Sequence, residues 1–185
     1  MKLTALFAFL LTVSTAQSQE LKFHRVEFST GDSIQSAIHF FCSQDYERED
    51  CLKDIAALRR ALAHYPTQLL GQWSFYLVMA QDWKPLVKLQ GGEPVIPAFS
   101  SLRNRATALD RSLFTPTAER SAELIRWYRL PIGQPLIDLA ITHEMGHALC
   151  QEKNERLANE YGKDLREGKI PQCRNAAALH ARASK

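Results

Sequence analysis

The sequence predicts an α+β fold, a small twisted sheet packed on several helices with one apolar helix at its centre. Short segments rich in aromatic and β-branched residues, such as residues 72–79, indicate strands. Longer segments with apolar residues three or four positions apart, such as residues 49–65, indicate helices. The segment from Pro135 to Cys150 is apolar along most of its length, and a helix of that composition belongs in a core.

The first half of the chain predicts one strand followed by two helices. Residues 21–29 alternate weakly in polarity and predict a strand. Residues 33–44 carry apolar side chains at helical spacing, with Asp32 as the N-cap, and predict a helix. Residues 49–65 predict a second, stronger helix that ends before Pro66.

The middle of the chain predicts three strands and one helix. Residues 72–79 predict a central strand, and residues 95–99 and 107–114 predict two further strands. Residues 117–128 form an amphipathic helical pattern that begins after Pro116, a residue favoured at the first helical turn. Strands and helices in this order are typical of an α+β domain.

The N-terminal residues 1–18 are expected to be a signal peptide. A positive residue is followed by an apolar run over residues 3–13, too short to span a bilayer. The small residues of 14–16, or alternatively those of 16–18, precede the cut. An uncleaved membrane anchor is the alternative. The expected product is secreted or periplasmic, without stable membrane insertion.

Residues 19–185 are expected to form a single domain, because this length suffices for one core. The formal net charge of the whole chain is +3, which favours neither nucleic acid nor a membrane surface as a partner. The composition therefore leaves a soluble enzyme or a binding module as the classes to consider.

The four cysteines agree with export. An even number of cysteines after a signal peptide indicates disulfides, and three pairings are possible. Pairing between near neighbours, Cys42 with Cys51 and Cys150 with Cys173, gives each bridge a structural role. The alternative is that Cys150, three residues after His147, binds a metal as a thiolate.

His143-Glu144-Met145-Gly146-His147 is an HExxH pattern and the main functional signal in the chain. On a helix the two histidines project from one face, one turn apart, and are expected to bind zinc. Glu144 lies beside the first ligand, where it can act as general base toward a zinc-bound water. The alternative is a buried helix whose histidines hydrogen-bond to carbonyl groups.

A catalytic zinc site needs a third protein ligand. A second helix is predicted from Glu155 to Gly168, and Glu155 is the favoured ligand. The small residues Ala158 and Gly162 lie on an adjoining face and would let this helix press against the first. Asn159, one turn after Glu155, is expected to orient a ligand without touching the metal. The rival ligands are Glu152, Glu160 and Asp164.

HExxH followed by a short turn and a helix reading Glu-x-x-Ala-Asn resembles the zincin metallopeptidases of the gluzincin type, especially their small members. The resemblance covers about residues 136–168. It implies a zincin-like fold, Glu155 as the third zinc ligand and Asn159 as its neighbour, where many members carry Asp. It also implies an edge strand beside the HExxH helix that pairs with extended substrate, for which residues 105–114 are the candidate. An ordinary hairpin at residues 105–114 is the alternative.

The function expected from these features is that of a zinc metallopeptidase acting on a peptide or protein substrate. The alternative is a non-catalytic zincin-like module in which zinc staples the helices together and the surface binds a partner. Another zinc hydrolase, such as an amidase acting on cell-wall peptides, is a subsidiary possibility. The candidates for stabilising an oxyanion are Arg105, Tyr128, Tyr161 and His180.

Overall fold

The computed structural model describes residues 21–26, 38–93, 95–128 and 135–174. Within these ranges the chain is an α+β fold, as predicted, with a mixed five-stranded sheet and five α-helices. The strands are β1 (Phe23–Val26), β2 (Ile38–Ser43), β3 (Trp73–Val78), β4 (Ala98–Ser101) and β5 (Ala106–Asp110). The helices are α1 (Arg48–Leu62), α2 (Ala80–Leu89), α3 (Ala118–Tyr128), α4 (Leu136–Cys150) and α5 (Glu155–Arg166).

The sheet has the strand order β1-β2-β3-β5-β4. Strands β2, β3 and β5 run parallel in the middle, and β1 and β4 are antiparallel additions at the two ends. The prediction that residues 105–114 provide the edge strand is therefore wrong. Strand β5 has neighbours on both sides and is buried along its whole length, whereas β4 is the outer strand and packs beside α4.

The helix predicted over residues 33–44 is also wrong for the part that the structure describes. Residues 38–43 form β2, which pairs with β3 in register from Ile38 opposite Trp73 to Cys42 opposite Leu77. Interior strands are covered on both faces and carry continuous apolar runs. The mostly apolar segment Ile38-His-Phe-Phe-Cys fits a buried strand and a helical spacing equally well. Local periodicity therefore did not distinguish a strand from a helix here.

The other predicted elements are present with shifted ends. Strands β1 and β3 and helices α1, α3, α4 and α5 lie inside or close to the predicted ranges. Strand β4 starts three residues later than the strand predicted at 95–99. The strand predicted at 107–114 ends at Asp110 and continues as a 3-10 turn. Helix α2 was not predicted, and Pro85 lies inside it.

The two faces of the sheet have separate cores. On one face, side chains of α1 and α4 pack against Phe40, Phe75 and Leu77 in the main hydrophobic core. On the other face, Trp83 and Val87 of α2 form a smaller cluster with strand residues. Helix α4 therefore lies between the sheet and α5 with its second half fully buried, which is the central position expected for it.

Both predicted disulfides are present, joining Cys42 to Cys51 and Cys150 to Cys173. The first links the end of β2 to the first turn of α1. The second links the end of α4 to the segment that follows α5. Two bridges indicate an oxidising, extracellular-type environment. In the part of the chain described here, none of the helices has the length and apolarity needed to cross a membrane. The predicted signal peptide, residues 1–18, lies outside the described residues.

Candidate metal centre

Three side chains from α4 and α5 converge on one point. The Nε2 atoms of His143 and His147 are 3.1 Å apart. The Oε2 atom of Glu155 lies 3.0 Å from Nε2 of His143 and 3.4 Å from Nε2 of His147. The structure thus brings together the three residues for which metal binding was predicted, and their ligand atoms are spaced as in a metal-binding group.

The outer nitrogen of each imidazole is already engaged. Nδ1 of His143 lies 2.9 Å from the side-chain oxygen of Asn159, and Nδ1 of His147 lies 2.7 Å from the backbone carbonyl of Glu152. Both oxygens are acceptors, so each Nδ1 carries the proton and donates it. In a neutral imidazole the lone pair then lies on Nε2, facing the shared point.

The turn between the helices produces this arrangement. Gln151 ends α4 in the left-handed region with φ 50°, which turns the chain back so that Glu152 meets His147. Asn154 caps α5, because its side-chain oxygen accepts from the backbone N–H groups of Arg156 and Leu157. Glu155 is consequently the first residue of α5, where a negative charge is favoured by the helix dipole.

Close contact between the two helices brings Glu155 to the histidines. A β-carbon added at Gly146 would lie 2.6 Å from the carbonyl oxygen of Ala158. A β-carbon added at Gly162 would lie 2.9 Å from the carbonyl oxygen of Thr142. Only glycine fits at these two positions without displacing backbone, which agrees with the predicted close approach of the helices at Ala158 and Gly162.

Glu144 occupies a different environment from Glu155. It is 4% exposed, and its Oε2 atom has no hydrogen-bond partner among the described residues. Burial raises the pKa of the Glu144 carboxyl, while the neighbouring His143 and His147 and a hydrogen bond from Ser100 act in the opposite direction. A buried carboxylate with one free oxygen beside two imidazoles is suited to accept a proton.

The side chain of Glu155 is 75% exposed and opens the site to solvent. Hydrogen bonds with His143 and His147 hold the pKa of the Glu155 carboxyl well below its usual range. Burial acts to lower the pKa of His147, but the carboxylates of Glu155 and Glu144 and the carbonyl of Glu152 outweigh burial and raise it to about 8. The group therefore attracts a cation.

A cavity of about 430 Å³ adjoins the metal-binding group. His143 and Glu144 form part of its wall, and Ala98 at the start of β4 forms another part. Most of the remaining wall near α4 is apolar and is provided by Leu113, Leu124, Leu136, Leu139 and Ala140. The other polar residues of the wall are Asn159, Lys163, Arg166 and Glu167 of the α5 side.

The rival ligands lie elsewhere. The side chain of Glu152 accepts from two backbone N–H groups of its own turn, and Glu160 pairs with Arg156. Asp164 is not in the metal-binding group. Cys150 is in a disulfide and has no thiolate to offer. A second group of possible metal ligands contains His24, Cys42 and Cys51. Its two cysteines are joined in a disulfide, so they offer no thiolate to a metal.

The candidates for oxyanion stabilisation are not brought to the site as far as they are described. Arg105 donates to the carbonyls of Leu70 and Gln72. The hydroxyl of Tyr161 accepts from the backbone of Arg174 in the cluster around the second disulfide. The remaining two candidates cannot be located, because His180 lies outside the described residues and the side chain of Tyr128 is not described.

Two contacts of the site were not predicted from the sequence. His147 hydrogen-bonds to the backbone carbonyl of Glu152, and since every residue has such a carbonyl, the residue type does not predict this contact. Ser100 reaches Glu144 from β4, more than forty positions away in the chain. No protein-family model matches this chain, and the same is true of curated proteins and of solved structures.

Proposed function

We propose that the protein is a zinc metallopeptidase with a zincin-like fold of the gluzincin type. The observation that carries this proposal is the convergence of three possible metal-ligand atoms, Nε2 of His143, Nε2 of His147 and a carboxylate oxygen of Glu155, within 3.0–3.4 Å of one another. Acceptors that face each other without a proton or a cation repel. A metal ion bound to all three removes that cost.

The donor set favours zinc. Two imidazoles and one carboxylate suit zinc better than magnesium or calcium, which prefer sets of oxygen ligands. Three protein ligands leave a fourth tetrahedral position for water or substrate, as in catalytic sites, whereas structural zinc sites are closed by a fourth protein ligand. The hydrogen bonds to Asn159 and Glu152 orient the two imidazoles and raise their basicity.

Glu144 is the proposed general base and acid. Zinc, when bound, supplies a Lewis acid that lowers the pKa of water and polarises a carbonyl group. As the water oxygen bonds to the peptide carbon, Glu144 accepts the water's proton on its free oxygen. When the carbon–nitrogen bond breaks, Glu144 delivers that proton to the leaving amine. The raised pKa of Glu144 suits a group that must both accept and release a proton.

The surroundings of the site support a peptide as the substrate. Strand β4 is the outer strand of the sheet beside α4, and no strand among the described residues pairs with its outer edge, where an extended peptide would add a strand. The cavity adjoins the start of β4, and its wall combines apolar side chains with polar ones that include Glu144. A peptide bound along β4 would therefore present a side chain to the cavity and a peptide bond to the site.

Metal content and peptidase activity test the proposal together. The purified protein is expected to carry close to one zinc ion per chain, and His143→Ala or His147→Ala is expected to lose it. Glu144→Gln keeps the shape and the zinc but removes the base, so turnover should fall by about 10²–10⁴-fold. Mass spectrometry of a peptide mixture and metal analysis measure the two quantities.

The outcomes separate the proposed enzyme from the alternative of a non-catalytic zinc-stapled module. Full zinc with no hydrolysis by the wild type favours the module. Hydrolysis that survives in Glu144→Gln rejects the mechanism. Retention of zinc by both histidine variants rejects the site. The two disulfides support an oxidising compartment for the proposed activity, and we propose that the protein acts outside the cell or in the periplasm.

A further inference from the structure

A row of buried polar side chains leads from the middle of the sheet to Glu144. The indole Nε1 of Trp73 on β3 lies 3.0 Å from the hydroxyl oxygen of Thr107 on β5. The hydroxyl oxygens of Thr107 and Ser100 on β4 are 2.8 Å apart. Strand β4 packs beside α4, and Ser100 is the β4 side chain whose hydroxyl acts on the pKa of the Glu144 carboxyl. Three strands and α4 thus contribute one residue each to a row of neighbouring polar side chains, and the first three are joined by hydrogen bonds.

The strand register accounts for this alignment. Ser100 and Thr107 stand directly opposite each other in the antiparallel pair of β4 and β5, so their side chains project from the same face. Thr107 is also opposite Phe75 on β3, which places Trp73, two residues before Phe75, on that face as well. This is the face that α4 covers.

The chain of hydrogen bonds has a direction. An indole N–H is only a donor, so Thr107 accepts from Trp73. The proton of Thr107 is then free to go to Ser100, and the proton of Ser100 is free to go to Glu144. An ionised carboxylate is only an acceptor and suits the end of the row. Hydrogen bonds aligned in this way polarise and strengthen one another.

The row of polar side chains is buried where it crosses the middle of the sheet. Trp73 and Thr107 are each 1% exposed. A hydroxyl in the middle of an apolar sheet destabilises the fold unless it is hydrogen-bonded, and valine would fill the same space as Thr107 without that cost. The polar atoms of Thr107 therefore serve a purpose other than packing, and both of its hydrogen bonds belong to the row that ends at Glu144.

We propose that Trp73, Thr107 and Ser100 are positioning residues for Glu144. Ser100 acts on the Glu144 carboxyl from β4, and the buried Oε2 atom of Glu144 has no hydrogen-bond partner among the described residues. The inference rests on the proposed function, because it assigns these residues to the orientation of its general base. It adds a support for catalysis that lies in the sheet, apart from the metal ligands.

Matched variants of Thr107 test the proposal. Thr107→Val keeps the shape and removes the hydroxyl, so it should lower kcat by about two- to tenfold, which corresponds to one hydrogen bond between neutral groups. KM and zinc content should stay unchanged. Thr107→Ser restores the hydroxyl and should recover most of the lost kcat. Ser100→Ala should lower kcat at least as much as Thr107→Val does.

The combination of variants distinguishes positioning from a general loss of stability. Because the residues act as one unit through Glu144, Thr107→Val should change nothing further in the Glu144→Gln background. If Thr107→Ser is as slow as Thr107→Val, packing rather than the hydroxyl is responsible and the proposal is wrong. Wild-type kcat in both Thr107→Val and Ser100→Ala also overturns it.

A spectroscopic measurement on metal-free protein needs no activity. Glu144→Gln changes the carboxyl at the end of the row to an amide and should shift the indole N–H resonance of Trp73 in a ¹⁵N correlation spectrum. The indole of Trp83, which donates to the carbonyl of Ile96, should not move and is the internal control. In the Thr107→Val background the shift at Trp73 should vanish.

The two measurements fail in different ways. If the wild type hydrolyses no peptide but Glu144→Gln still shifts Trp73 through Thr107, the proposed function is wrong and the hydrogen-bonded row stands. If the wild type hydrolyses peptides but the Trp73 resonance does not respond to Glu144→Gln, the row does not reach Glu144 and the inference is rejected.

Discussion

The contact between α4 and α5 allows a sharp prediction about two glycines. A β-carbon at Gly146 would lie 2.6 Å from the Ala158 carbonyl oxygen, and one at Gly162 would lie 2.9 Å from the Thr142 carbonyl oxygen. Ordinary contact begins near 3.4 Å, and backbone atoms cannot rotate aside. Gly146→Ala should therefore push α5 back by about 0.8 Å, and Gly162→Ala by about 0.5 Å.

The expected magnitude follows from two opposing effects. Overpacking in a core costs about 1–3 kcal/mol, whereas alanine is favoured over glycine inside a helix by about 1 kcal/mol. The net loss in the free energy of unfolding should lie between about 0 and 2 kcal/mol, near the upper end for Gly146→Ala, where the overlap is larger, and lower for Gly162→Ala. Metal–ligand distances tolerate only about 0.2 Å, so moving Glu155 should also weaken zinc binding by about tenfold or more.

Urea unfolding of the metal-free protein and zinc competition against a chelator measure these two effects. Glu160→Ala, at an exposed position of α5, is the control and should change stability by no more than about 0.5 kcal/mol. If Gly146→Ala is more stable than the wild type and binds zinc equally well, the helices are not in close contact. The explanation of how Glu155 reaches the histidines then fails.

Three further predictions concern individual interactions. Glu155→Gln should weaken zinc binding, measured by chelator competition, and added zinc should partly restore hydrolysis. Loss of a residue that only hydrogen-bonds to a ligand costs roughly 10- to 100-fold in metal affinity, and loss of the ligand itself should cost more. Tyr46→Phe removes the donor to the buried Asp54 carboxylate and should cost about 1–3 kcal/mol in urea unfolding at neutral pH. Replacing Cys150 and Cys173 with serine should cost about 2–4 kcal/mol of unfolding free energy, while the folded protein keeps its zinc, as metal analysis would show.

Each of these has an outcome that contradicts it. If Glu160→Gln loses zinc and Glu155→Gln keeps it, Glu160 rather than Glu155 is the third ligand. Burial raises the pKa of Asp54, so its carboxyl becomes neutral as the pH falls through that raised value. The penalty of Tyr46→Phe should shrink near pH 4, close to the ordinary aspartate pKa, and an equal penalty at both pH values rejects the explanation. Loss of zinc from the folded serine variant would mean that the Cys150–Cys173 bridge holds the ligands in place.

The metal-binding group was predictable because it is local in the sequence. His143 and His147 are one helical turn apart, and Glu155 begins the next helix after a short turn. The spacing of residues within a helix fixes which side chains share a face. The chemistry of metal binding also restricts the residue types. Both kinds of information are present in the chain without knowledge of distant contacts.

The sheet was harder to predict because its register depends on tertiary contacts. The turn between β4 and β5 contains Arg105 in the left-handed region with φ 52°, a conformation uncommon for arginine. The Arg105 side chain donates to the carbonyls of Leu70 and Gln72, on a loop more than thirty residues earlier. No glycine marks this turn, so sequence alone did not locate the hairpin. The edge strand was consequently assigned to the wrong segment.

The same distinction separates the two halves of the proposed active site. Its metal ligands lie within thirteen consecutive residues, from His143 to Glu155, and a contiguous motif reveals them. The surroundings of Glu144 come from β4 and from strands paired with it, at positions that no motif marks. Substitutions in the sheet at Thr107 should therefore reduce hydrolysis and leave zinc binding intact, whereas substitutions in the turn after α4 should affect both. Such a division would identify the sheet as the element that turns a metal-binding helix pair into a catalyst.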